Sequence, residues 1–235
     1  VEGDQGQGFE GALVSRFEII DAEQRSEIWL AARAGRVTAS RAAAVLAKIK
    51  SGEAAGRRDY RCQLVVERLT GQPAEDGYIN KEIQRGIDLE SAAIGEWEVN
   101  TGLIARRTGF LTMTDHMVGC SLDGDFNDFE GLIEVKCPKS ATHIEYLRAA
   151  RLPPEYVPQC THQMWVTGAK WLDFVSFDDR MPSGLQYFCV RVYRSEFKKE
   201  LEAYEAEVLR FLGEVDAEVQ SLAKMMHRLP PMRAA

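Results

Sequence analysis

The stretch from Ser121 to Pro138, Ser-Leu-Asp-Gly-Asp-Phe-Asn-Asp-Phe-Glu-Gly-Leu-Ile-Glu-Val-Lys-Cys-Pro, places the tightest constraint on what this chain can fold into. From Leu132 to Lys136 apolar and charged residues alternate, and in a strand that alternation sets Leu132, Glu134 and Lys136 on one face and Ile133 and Val135 on the other. A carboxylate and an ammonium then project side by side. Asp123 lies eleven residues before Glu134, across a turn-prone Gly-Asp-Phe-Asn-Asp run and a second glycine at 131. A hairpin that returns Asp123 beside Glu134 is the economical arrangement. Converging Asp and Glu oxygens bind a hard divalent cation, and a neighbouring lysine can hold or activate a water. A Glu-x-Lys pair is also common on a solvated strand face. The flanking Gly-Leu-Ile and Cys-Pro suit instead a strand buried on both sides, where charges need partners or a metal.

The chain has 235 residues, 45% of them hydrophobic, enough for one cored domain with elaborations. No apolar run approaches the roughly 18 residues of a membrane span. Val1 to Gly11 is Gly-rich and polar without a signal-peptide pattern. Residues 1–22 are therefore expected to be a mobile arm or an expression remnant, 23–226 a single domain, and 227–235, with its Pro-Pro, a tail. The five cysteines at 62, 120, 137, 160 and 189 form no Cys-x-x-Cys pair, which argues against a disulfide framework and against a zinc or iron–sulfur site. A reducing cytoplasm is the expected compartment.

A net charge of −7 looks wrong for a nucleic-acid enzyme until its distribution is read. Glu196 to Glu218 carries eight acids and three bases, whereas Arg33 to Arg61 carries eight bases and two acids. The basic segment could meet phosphates; a solvated helix face fits it equally. A helix over Glu23 to Ala32 delivers Arg33 just before Gly35, and Thr38 is placed to cap an Ala-rich helix from Ala42 to Ile49. Its free amides, with Ser40 and Arg33, would suit a phosphate.

Further helices are expected over Tyr60 to Leu69, Asn80 to Asn100, Ala141 to Ala150 and Glu155 to Thr167, with a long acidic one over Ser195 to Met226. In the second of these, Ile83, Ile87, Glu90, Ile94 and Trp97 form one stripe with a carboxylate in its middle. Glu90 there needs a cation, a donor or water. Short β segments are expected at Leu103 to Arg106, Gly109 to Met113 and Met117 to Ser121, and Trp171 to Phe177 and Tyr187 to Tyr193 alternate like neighbouring strands.

Helix, strands bearing Asp and Glu-x-Lys, helix, strand, strand is the order of an α/β nuclease core. The blocks Trp29-x-x-x-Arg33-x-Gly35-x-x-Thr38-Ala39-Ser40, Arg85-Gly86-x-x-x-Glu90, Ser121-x-Asp123-Gly124, Glu134-Val135-Lys136-Cys137-Pro138, Tyr156-x-x-Gln159 and Met164-Trp165-Val166-Thr167 follow one another in order. In these blocks the chain resembles the phage lambda exonuclease family of viral-type recombination nucleases, within the restriction-endonuclease-like superfamily. The resemblance covers about Trp29 to Arg191.

It implies a restriction-endonuclease-like core, a central mixed β-sheet flanked by helices. Asp123, Glu134, the Val135 carbonyl and Glu90 would hold Mg²⁺, two ions in the family's pattern, with Mn²⁺ as a possible substitute; Lys136 would position or deprotonate the attacking water. Arg33, Ser40, Ser121 and Gln159 match the pocket for a terminal 5′ phosphate. The implied activity digests one strand of linear double-stranded DNA from 5′ to 3′, releasing mononucleotides and leaving 3′ single-stranded overhangs for recombination. The implied assembly is a ring-shaped homotrimer in a bacterial or phage-infected cytoplasm, partnered by a single-strand annealing protein. The Arg33 to Arg61 segment would then line the basic channel of the ring. Leu122 departs from the proline the family commonly carries before Asp-Gly. Two alternatives stay open: another nuclease of the superfamily, such as an endonuclease, a RecB-type enzyme or a CRISPR-associated iron–sulfur nuclease, and a non-enzymatic module that binds DNA ends.

Overall fold

The computed structural model of the protein describes residues 16–74 and 80–226. Eight strands fall into two mixed four-stranded sheets with helices against them. In chain order the elements are β1 (Phe17–Ile20), α1 (Glu27–Arg33), β2 (Val37–Thr38), α2 (Ala42–Leu46), α3 (Ala55–Thr70) and α4 (Lys81–Thr101). These are followed by β3 (Phe110–Met113), β4 (Val118–Cys120), β5 (Gly124–Phe126) and β6 (Gly131–Lys136), then α5 (Ser140–Ala149), α6 (Val157–Thr167), β7 (Trp171–Phe177), β8 (Tyr187–Tyr193) and α7 (Lys198–Met226).

The second sheet, in order β5-β6-β7-β8, carries the Ser121 to Pro138 stretch. Antiparallel pairing of β5 with β6 sets Gly124 opposite Ile133 and closes the expected hairpin. Strand β7 runs parallel to β6, which requires the long crossover that α5 and α6 supply. Strand β6 is buried on both faces. Ile133 and Val135 pack with Ala93, Ile94 and Trp97 of α4; Leu132 joins Leu172, Phe174, Met164 and Trp165 in the larger core under α6 and α7. The period-2 pattern thus partitions one strand between two hydrophobic clusters. Gly131 opens β6 where a side chain has no room: a Cβ would come within 2.0 Å of the Trp171 ring.

The first sheet, in order β1-β3-β4-β2, changes the reading of the N-terminal end. Phe17 to Ile20 pair antiparallel with β3, so the last residues assigned to an arm belong to the fold. The ladder satisfies backbone groups that a free arm would leave to water. Residues 1–15 and the tail 227–235 lie outside the described residues. Helix α1 starts at Glu27 rather than Glu23, because the Ser26 hydroxyl accepts from Trp29 N (3.3 Å) and terminates the helix there. Thr38 does not cap α2: it sits in β2, makes no side-chain cap, and donates its backbone N–H to the Tyr60 hydroxyl (3.1 Å). Helix α2 ends at Leu46, α3 starts early at Ala55, and 103–106 forms no strand beyond a single bridge from Arg106 to Asp125.

The stripe on α4 divides in two. Ile94 and Trp97 are buried, whereas Ile83 and Ile87 are exposed, because only the second half of the helix lies over the sheet. Glu90 stands at the boundary.

Part of the basic block pairs with the acidic helix. Arg57, buried on α3, donates to Glu53 (2.6 Å) and to Glu214 of α7 (2.7 and 3.1 Å). Arg61 pairs with Glu53 and Glu218, and Arg68 with Asp216. Within the Arg33 to Arg61 segment, Arg57 and Arg61 are therefore held by α7. A guanidinium already committed to carboxylates in a half-buried seam has little left to offer a phosphate; Arg58, which is exposed, pairs with its neighbour Asp59. The acidic helix is therefore the counter-surface of α3.

His162 on α6 joins the layers at the core. Its Nδ1 lies 2.6 Å from the Tyr204 hydroxyl and its Nε2 3.0 Å from the Gly119 carbonyl. A carbonyl only accepts, so Nε2 carries the proton and Nδ1 takes the tyrosine's. Burial lowers this imidazole's pKa to about 4. The folded protein binds the proton more weakly than the unfolded chain, so stability is complete above about pH 6.5 and is lost as pH falls toward 4, by about 3 kcal/mol in all. Urea unfolding at pH 7.5 and pH 4.5 is expected to show most of this loss in the wild type and little of it in His162→Gln. An equal drop in both would assign acid sensitivity to other groups.

Candidate active site

The hairpin brings Asp123 and Glu134 together. Asp123 follows β4 and its Oδ2 accepts the Val135 amide at 2.7 Å. Glu134, only 1% exposed, is held by three donors: Gln159 to Oε1 and Gln163 to Oε2, each at 2.6 Å, and the Lys136 ammonium to Oε1. A carboxylate offers about four acceptor directions, so one on Oε2 is left. The Lys136 ammonium lies 5.3 Å above the Tyr156 ring.

The electrostatics follow from this crowding. Burial raises the Asp123 carboxyl above the usual range, and the negative charge of Glu134 raises it further. Burial alone would lower Lys136, but the carboxylates of Glu134 and Asp123 outweigh it and keep the ammonium charged. Burial likewise pushes up Glu90, which Arg107, 3.5 Å away, partly offsets. Like charges packed with one lysine are a state that a further cation relieves. The oxygen-only donor set fits a hard divalent ion. It is not a finished cage, since among the described residues no three His, Cys, Asp or Glu side chains converge as a ready-made metal site. Glu90 and Asp123 instead share the wall of a cleft of about 630 Å³, lined also by Arg25, Ile87, Arg107 and Leu122.

The residues matched to a phosphate pocket are distributed less evenly. Ser121 accepts from the Trp29 indole N–H (2.9 Å), and the Arg33 guanidinium lies over the same indole, 4.1 Å from its centroid. Trp29 therefore holds Arg33 and Ser121 at one place. Ser40 is exposed, in the turn that follows β2. Gln159 has its amide on Glu134, at the carboxylate pair. Leu122 is buried in the main core at 2% exposure, so packing anchors the loop that proline would otherwise stiffen.

Sequence reasoning missed Gln163, Trp29 and Arg107. Gln163 lies one helical turn after Gln159, the spacing at which two side chains reach one target. Trp29 stood in a family block as a marker with no role. Nothing in the sequence pointed to Arg107, whose meeting with Glu90 depends on how the 103–109 segment crosses α4.

A family model described as the YqaJ-like viral recombinase domain matches residues 28–170, a span that contains Arg33, Glu90, Asp123, Glu134, Lys136 and Gln159. The chain belongs to this family. Among solved structures, an alkaline exonuclease (LHK-Exo) from Laribacter hongkongensis is 41% identical, with 87% of this chain and 100% of that chain covered and a TM-score of 0.77. The crystal structure of LHK-Exo in complex with dAMP gives the same identity and coverage with a TM-score of 0.78. A phage related exonuclease from Haemophilus somnus 129PT, 18% identical with 78% of this chain and 96% of that chain covered, shares the fold at a TM-score of 0.54. No curated protein sequence matches. The restriction-endonuclease-like α/β architecture of this YqaJ-like protein is consistent with these likenesses. Among the described residues no helix is long and apolar enough to cross a membrane.

Proposed function

We propose that this YqaJ-like protein is a Mg²⁺-dependent exonuclease that digests one strand of linear double-stranded DNA from its 5′ end, releases mononucleotides and leaves 3′ overhangs. The observation that carries this reading is the Asp123–Glu134–Lys136 constellation on one hairpin, in a chain 41% identical to an exonuclease. Asp123, Glu134 and the Val135 carbonyl would hold the metal, with Glu90 across the cleft contributing directly or through water. Bound there, Mg²⁺ supplies activation of a water and neutralisation of charge on the leaving oxygen.

The chain's own groups do the rest. Gln159 and Gln163 fix the Glu134 carboxylate so that it needs no reorganisation when substrate enters. The Lys136 ammonium sits where it can hold a water beside that carboxylate. Arg33, seated over the Trp29 ring, would offer its guanidinium to a terminal phosphate, and Ser121 and Ser40 would add hydroxyl donors. Linear DNA ends are thus the proposed partner, together with a homotrimeric ring and a single-strand annealing protein, both from the family likeness.

The test is digestion with Mg²⁺ of linear duplexes labelled at the 5′ or the 3′ end, with 5′-phosphate or 5′-hydroxyl termini. Early release of the 5′ label is expected, and equal release from both ends would refute the polarity. Arg33→Ala is expected to slow digestion of 5′-phosphorylated ends by about 10- to 100-fold, the worth of a lost charged hydrogen bond, with a much smaller effect on hydroxyl ends. Equal slowing of both would remove Arg33 from the phosphate pocket.

A further inference from the structure

Arg85 belongs to a family block, Arg85-Gly86-x-x-x-Glu90, yet the chemistry above assigns it nothing. Its position explains it. The parallel ladder of β6 with β7 ends at Lys136 opposite Ser176, so among the described residues no strand partner holds the chain that leaves the sheet at Cys137 and Pro138. Two arginines take over. Arg85, from the first turns of α4, donates through Nη1 to the Cys137 carbonyl (3.4 Å), and Arg180, from the loop after β7, donates through Nη2 to the Pro138 carbonyl (3.0 Å).

Both guanidiniums converge on one carboxylate. Asp178, fully buried just past the end of β7, accepts from Arg85 Nη2 (2.9 Å) and from Arg180 Nε (2.7 Å) and Nη2 (3.2 Å). It also accepts the Arg180 backbone N–H (3.2 Å) and interacts with the hydroxyl of Ser140, the first residue of α5. Burial by itself would raise this carboxyl, but the donors of Arg180 and Ser140 prevail and hold it well below the usual range. A buried carboxylate satisfied by this many donors is a fixed point, and it ties together α4, the exit of β6, the start of α5 and the end of β7.

We propose that Asp178, with Arg85 and Arg180, is a positioning clamp that fixes the peptide leaving β6 and so aims Lys136 and Glu134 at the reacting phosphate. None of the three touches the carboxylate pair. Their effect passes through two backbone carbonyls, and it matters because a displacement near 1 Å of a catalytic group can cost about 10²-fold in rate. The kinetic part rests on the nuclease function proposed above; the structural part does not.

The experiment compares wild type, Asp178→Asn and the milder Arg180→Ala with Asp173→Asn. Asp173 is an equally buried carboxylate of the same sheet, bonded to Arg191 (2.8 and 2.7 Å) and to Trp97 (2.8 Å), and makes a control for general destabilisation. Asp178→Asn is expected to lower kcat on linear duplex by about 10- to 100-fold with KM for ends within about twofold. Amide exchange at His143, whose N–H bonds to the Lys139 carbonyl (3.0 Å), and at Met181, whose N–H bonds to the Asp178 carbonyl (3.1 Å), is expected to quicken by about tenfold or more. Arg180→Ala is expected to fall between. Unchanged exchange at these amides, or an equal fall in kcat in Asp173→Asn at matched loss of stability, would overturn the clamp. A wild-type protein without nuclease activity would overturn the proposed function instead, and the exchange measurements would then decide the clamp alone.

Discussion

Glu134→Gln is expected to reduce nucleotide release from linear duplex by at least about a thousandfold, the upper end of what one preorganised electrostatic group contributes. The reason lies in how many groups depend on this carboxylate. It accepts from Gln159, Gln163 and Lys136 while buried beside Asp123. An amide with its oxygen at the Oε1 position keeps Gln159 and Lys136 but turns its NH₂ group on the Gln163 donor, the opposite orientation sets the NH₂ against Gln159 and Lys136, and in either case the ammonium of Lys136 loses its nearest counter-charge. Affinity for a divalent ion should fall with the charge. Labelled-duplex digestion with Mg²⁺, with circular dichroism to verify folding, measures the effect; activity within tenfold of wild type in a folded variant would mean that the hairpin is not the reaction centre.

Trp97→Ala is expected to cost about 4–5 kcal/mol, at the top of the range for removing a large aromatic side chain from a core. Trp97 is fully buried, supports Ile133 and Val135 from behind, and donates its indole N–H to the buried Asp173. Truncation leaves a cavity under β6 and removes one donor from a carboxylate that retains Arg191. Trp97→Phe keeps most of the volume and is expected to cost about 1–2 kcal/mol, mainly the lost hydrogen bond. Urea unfolding at pH 7.5 separates the two. A loss under about 2 kcal/mol for the alanine variant would show that α4 repacks freely and that the back of the hairpin is not stabilised by this contact.

Legibility from sequence followed the range of the physics. Hairpin and strands were legible wherever a short period or a turn signal governs, which is why β6, β7 and β8 and the pairing of Asp123 with Glu134 emerged from Ser121 to Tyr193 directly. Helix starts misled where a capping residue decides, as at Ser26, and where a threonine that fits a cap is taken by a strand, as at Thr38. Charge blocks were legible as blocks, but not as partners. Only the packing of α7 on α3 turns a basic segment and an acidic helix into one ion-pair seam, because the two lie more than a hundred residues apart and their pairing depends on side-chain reach in three dimensions.

By itself the sequence determined which residues share a face of a strand or a helix and, through its ordered motifs, the family to which the chain belongs. Those properties are local, set by a period of two or 3.6 residues and by residue identity at short spacing. The tertiary structure alone decided that Gln163 completes the grip on Glu134, that Trp29 holds Arg33 and Ser121 together, and that Asp178 anchors the chain beyond Lys136. Each of these depends on a distance between elements remote in sequence. Such distances follow from how whole helices and sheets bury their surfaces, and no local pattern encodes them.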